Sequence, residues 1–95
     1  MALLGIFNKQ PIEVLDYDVD YTELVSRDDD RVESATVTVN PPLANGELSW
    51  VTSDKKVKVW VSGGEDGGVH KFEVTVSTRL GRVKQDEFRI RVREV

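Results

Sequence analysis

Alternation with a period of two runs through most of this chain. It is visible in DYDVDY (residues 16–21), VESATVTV (32–39), KVKVWVS (56–62), VHKFEVTVSTR (69–79) and VKQDEFRIRVR (83–93). Successive side chains of an extended strand point to opposite sides of a sheet, so such a pattern marks a strand with one face buried. Helical periodicity is nearly absent. The spacing predicts strands at about 12–21, 32–39, 47–53, 56–62, 69–79 and 83–93, separated by the turn-forming runs SRDDD, NPPLANG, SD, GGEDGG and LG. The chain is therefore expected to be all-β, an immunoglobulin-like two-sheet β-sandwich of about seven short strands.

With 95 residues there is room for one core. The absence of cysteine removes any disulfide framework or thiolate metal site, so packing must hold the domain together. The net charge of −4 conceals a segregation: residues 1–47 carry 10 acids and 3 bases, and residues 48–95 carry 7 acids and 10 bases. An acidic protein without a concentrated basic patch is a poor nucleic-acid ligand, and no nucleic-acid partner is expected. The opening MALLGIF is too short to span a bilayer and lacks the basic start of a secretory signal; no membrane insertion is expected.

Parity fixes the last hairpin. Phe72, Val74 and Val76 share a face, as do Phe88, Ile90 and Val92, so the connecting loop must hold an odd number of residues. A three-residue loop of Arg79, Leu80 and Gly81 places glycine at the left-handed position and sets Phe72 opposite Phe88. Pro41-Pro42 should stop the preceding strand at about Asn40, because proline cannot donate to a ladder.

Little in the sequence points to catalysis. A calcium loop begun at Asp16 or Asp18 lacks its sixth-position glycine, where Tyr21 or Glu23 stands. Asp16, Asp18 and Asp20 read instead as the wet face of a strand whose other face is Tyr17, Val19 and Tyr21. Arg89, Arg91 and Arg93 form the mirror pattern on the last strand, and the two ladders are expected to lie side by side. Asp28, Asp29 and Asp30 read as a solvated turn. His70, the one histidine, falls on the inward side and cannot build a triad or a metal cluster alone. GGEDGG lacks the lysine and the helix of a phosphate cradle. No catalytic residue, cofactor or metal is assigned, and the protein is not expected to be an enzyme.

Two features point to binding. Trp50 shares parity with Leu48 and belongs to the core, but Trp60 opposes Val57, Val59 and Val61; either its strand is covered on both faces or Trp60 is an exposed anchor. The N-terminal residues 1–11 show no alternation and end at a proline. Leu3, Leu4, Ile6 and Phe7 would be unfavourable in water as a free tail, so an arm (1–11) that docks on its own domain (12–95) or on a neighbour is expected.

The succession FNKQPIEVLDYDVDYTELV, SATVTV, VKVWVSGGEDGG and GRVKQDEFRIRV resembles small tailed-bacteriophage virion proteins named fiber-tail adaptors, over nearly the whole chain. The resemblance implies an immunoglobulin-like β-sandwich present in several copies in the phage tail or neck. Its partners would be tail, connector or fibre proteins and other copies of itself, after synthesis in the host cytoplasm. It also implies a tyrosine corner residue near position 70, where this chain has His70. A head decoration protein and a host-surface module for carbohydrate or calcium are the alternative readings.

Overall fold

The computed structural model describes residues 2–95; Met1 of the expected arm lies outside the described residues. In chain order the elements are β1 (Ala2–Lys9), β2 (Val14–Asp20), α1 (Thr22–Ser26), β3 (Val32–Asn40), β4 (Leu48–Thr52), β5 (Lys56–Ser62), β6 (Val69–Thr78) and β7 (Val83–Val92). They form a four-stranded sheet in the order β1-β7-β6-β3 and a three-stranded sheet in the order β2-β5-β4. The two-sheet all-β sandwich expected from the alternation is the architecture observed.

The inward positions of the alternating runs meet between the sheets. Val57, Val59 and Val61 of β5, Phe72, Val74 and Val76 of β6, and Phe88, Ile90 and Val92 of β7 are buried, joined by Val19, Tyr21, Val25, Val32 and Val37. Phe72 lies opposite Phe88, as parity required, and their rings stack with centroids 4.9 Å apart and planes within 3°. The pairing continues to Ser77 and Val83, and Thr78 and Arg82 close a loop of Arg79, Leu80 and Gly81, with Gly81 at φ +93°. Strand β3 ends at Asn40, ahead of the cis Asn40-Pro41 peptide. Trp50 packs on the core, and its indole N–H donates to the Ala35 carbonyl at 3.0 Å, which ties β4 to β3. His70 is buried, and its Nδ1–H donates to the Pro41 carbonyl at 2.7 Å; a carbonyl can only accept, so this nitrogen carries the proton. The histidine thus ties the start of β6 to the turn after β3.

The structure corrects one expectation and adds two elements. The acidic and arginine ladders do not adjoin, because β2 and β7 belong to different sheets. Asp16 and Asp18 share Lys58 on the neighbouring β5, at 3.2 and 3.8 Å, Asp20 accepts from the backbone and hydroxyl of Thr22, and Arg89 pairs with Glu87 on its own strand at 3.0 Å. Parity places a charge on a face; sheet order selects its neighbour. The short helix α1 follows β2 and buries Val25 against the core. The N-terminal segment is a strand, docked on its own domain in parallel to β7.

The aspartate run between α1 and β3 is a tie as well as a turn. Arg82 donates to the Leu24 carbonyl at 3.1 Å and to Asp30 at 3.3 Å, and it also pairs with Asp28. The Asp30 side chain is fully enclosed and accepts the backbone N–H of Arg31 and of Leu80 at 2.9 and 3.0 Å. Desolvation raises the Asp30 pKa, but hydrogen bonds from Thr78, Arg31 and Leu80 and the Arg82 guanidinium outweigh it and hold the carboxyl below its ordinary value. Because the folded-state value is depressed, the stabilisation is present above the unfolded carboxylate pKa and is lost as pH falls through the folded one.

Two outcomes follow for equilibrium denaturation in urea. Phe72→Ala should lose about 3–5 kcal/mol, the usual cost of emptying a buried aromatic site. Asp30→Asn should be less stable than the parent at neutral pH, with the difference shrinking as pH drops through the carboxylate range; a difference independent of pH would show that the carboxylate charge is not what matters there.

Candidate interaction surface

The register of β1 explains why its sequence shows no alternation. Ala2 and Leu3 align with Asp86 and Glu87, whereas Ile6 and Phe7 align with Arg89 and Ile90, so β1 carries one residue more than β7 between these pairs. This bulge at Leu4-Gly5 resets the parity. Leu3 and Ile6 both face outward, beside Glu87 and Arg89, while Phe7 faces inward with Ile90. A Cβ on Gly5 would stand 2.9 Å from the tip of the Phe7 ring, so the ring lies against the bulge where no side chain intervenes.

The bulged strand leaves apolar surface on both sides. Leu3, Leu4, Ile6 and Phe7 are each 39–57% exposed. The structure gathers these four on one strand at the edge of the larger sheet. Trp60 stands apart on the central strand of the smaller sheet, 39% exposed on the outer face, in register with Asp16 of β2 and Ser49 of β4. Its sequence ambiguity is resolved towards exposure.

Between β1 and β2 the sandwich is open. Leu4, Phe7, Tyr17 and Phe88 line a groove of about 320 Å³ whose lip carries Asp16 and Asp18. The Phe7 ring lies 5.2 Å from Tyr17 and 6.2 Å from Phe88, and Tyr17 lies 5.6 Å from Phe88. Three rings from three strands therefore make the floor. Burial raises the Tyr17 pKa, and the nearby carboxylates of Glu13 and Asp16 add to the shift. Deeper in, burial and then the adjacent buried Asp86 carboxylate push the Tyr21 phenol upward.

Lys9 is the residue at this surface that sequence reading missed. It is 2% exposed, and its Nζ donates to the carbonyls of Gln10 at 2.8 Å and Gly63 at 2.6 Å, which fastens the end of β1 to the β5–β6 loop. Burial lowers its pKa, with Glu13 acting in the opposite direction. The same loop also packs closely on the loop between β3 and β4, where a Cβ on Gly63 would be 2.4 Å from the Gly46 Cα. The bulge is also what turns Lys9 inward, opposite Val92, and no local sequence signal announces it.

Among the described residues no group of three or more His, Cys, Asp or Glu side chains is placed to hold a metal ion, and no helix is long and apolar enough to cross a membrane. What the surface offers is apolar and aromatic area with a charged lip, which is the material of a protein-protein contact. The tyrosines give a spectroscopic reading of its integrity. Both have raised folded-state pKa values, so stability is held below the unfolded phenol value near 10 and declines as pH rises above it. Phenolate absorbance of the folded protein should therefore develop only above about pH 10, and Tyr21→Phe should lessen the alkaline loss of stability; phenolate appearing at the ordinary midpoint in the folded protein would contradict the enclosed setting of both rings.

No curated protein matches the chain. A protein-family model described as podophage GP4 fiber-tail adaptor protein gp77 matches residues 9–91, which include every element from β2 to β6 and most of β7. Its range begins at Lys9, the last residue of β1. The chain belongs to the podophage fiber-tail adaptor family, and is a bacteriophage tail structural protein.

Proposed function

We propose that this protein joins tail or connector proteins to tail fibres by protein-protein contact, in several copies within a symmetric assembly, and that residues 1–11 and Trp60 face its partners. The observation that carries the reading is the exposed apolar strand β1, whose Leu3, Leu4, Ile6 and Phe7 exceed what an isolated domain needs at a sheet edge. Family membership supports a place in the virion tail. The charge segregation between the chain halves supports binding to neighbours rather than to nucleic acid. Repeated copies would multiply a modest contact into a firm joint. No step in this role requires catalysis, a cofactor or a metal.

Cryo-electron microscopy of the phage particle tests the reading: density for the sandwich is expected where fibres meet the tail, and density on the head surface would overturn it. The combined variant Leu3→Asp and Ile6→Asp should fold, since both side chains face solvent, yet lose about 2 kcal/mol or more of association at this joint. Its incorporation into particles at the parental level would remove β1 from the interface.

A further inference from the structure

The four sheet edges of this sandwich are not equally defended. Edge strands are ordinarily guarded against pairing by charge, shortness or cover. β2 carries Asp16, Asp18 and Asp20; β4 has only five residues; and on β3 the indole of Trp50 occupies the Ala35 carbonyl. β1 has none of these; its one irregularity is the bulge at Leu4-Gly5, after which Ile6 to Lys9 run in unbroken register with β7. From Ala2 to Asn8 it has no charged residue and no proline, and among the described residues nothing pairs with its outer side.

Beside that edge lies the groove between β1 and β2. Its aromatic floor of Phe7, Tyr17 and Phe88 suits an apolar side chain, and its lip is negative: Asp16 and Asp18 have the single cation Lys58 between them, which leaves one carboxylate charge uncompensated. We infer that the outer edge of β1 and this groove together accept an extended strand of a different structural protein whose groove-facing side, every second residue, carries both apolar and lysine or arginine side chains. Backbone pairing would supply affinity and the groove specificity. Charge argues against a second copy as the occupant, since pairing β1 to β1 would bring two Asp16-Asp18 rows to one seam. The inference rests on the adaptor reading for the identity of the partner, and on the edge alone for its chemistry.

The probe is a short synthetic peptide repeating valine-serine-lysine-serine, so that valine and lysine fall on one face, compared with one repeating valine-serine-glutamate-serine, each added to the isotope-labelled full chain. Amide chemical shifts and hydrogen exchange are followed by NMR. The lysine peptide should bind about tenfold or more tightly than the glutamate peptide, protect amides between residues 2 and 8, and weaken with added salt. Asp16→Asn combined with Asp18→Asn alters only exposed carboxylates and should erase the preference between the peptides. Equal binding of the two peptides, binding that leaves β1 amides unperturbed, no binding, or peptide-free dimerisation through β1 would each overturn the inference. Particle location is read separately: peptide failure with the protein still at the tail-fibre junction removes this edge and spares the adaptor role, and the reverse result removes the adaptor role alone.

Discussion

The parallel contact of the Phe72 and Phe88 rings holds the larger sheet in register. Two aromatic side chains directly opposite on neighbouring strands lock the pairing of β6 and β7, because a slip of one residue would send one of the two rings to the solvent face. Strand β7 then carries the rest of the architecture. Its Ile90 and Val92 complete the core, its edge receives β1, Phe88 reaches the groove floor, and Arg82 just before it binds the loop between α1 and β3.

Strand β1 is held differently from the others. Phe7 packs on the aromatic floor with Leu4 beside it in the groove, and the strand ends in a lysine withdrawn from water. A buried ammonium costs several kcal/mol unless it is well partnered, and here two carbonyls at 2.6 and 2.8 Å accept from it. This lysine anchor lies at the end of β1. Paired to β7 along its length, the strand is fixed to its own domain while its outward apolar side chains stay in solvent.

Electrostatics in this protein decides position more than stability. The exposed pairs of Lys58 with Asp16 and Asp18 are worth about 0–1 kcal/mol each in water, so their main effect is on which strands tolerate one another. The enclosed tie of Arg82 to Asp30 is different in kind, since the carboxylate also receives two backbone N–H groups that would otherwise lack partners. A sequence motif that looks like three solvated aspartates thus contains one structural acid, Asp30, and one outward residue, Asp29, at a positive φ of 55°.

Alternation alone determined which strands exist from β2 onward, which faces they bury, the Phe72-Phe88 register and the odd-numbered loop ending in Gly81. Each of these is local, or follows from parity between segments that a hairpin joins. The short helix α1 escaped detection because five residues are too few to display a helical period. Strand β1 escaped because its bulge breaks the parity and its partner lies more than seventy residues away in the chain. The partners of the aspartate and arginine ladders, the burial of Lys9 and the groove between β1 and β2 were decided only by the tertiary structure. Which strands become neighbours depends on how two sheets stack and on which edge an extra strand joins, and neither choice is encoded in the period of any single segment.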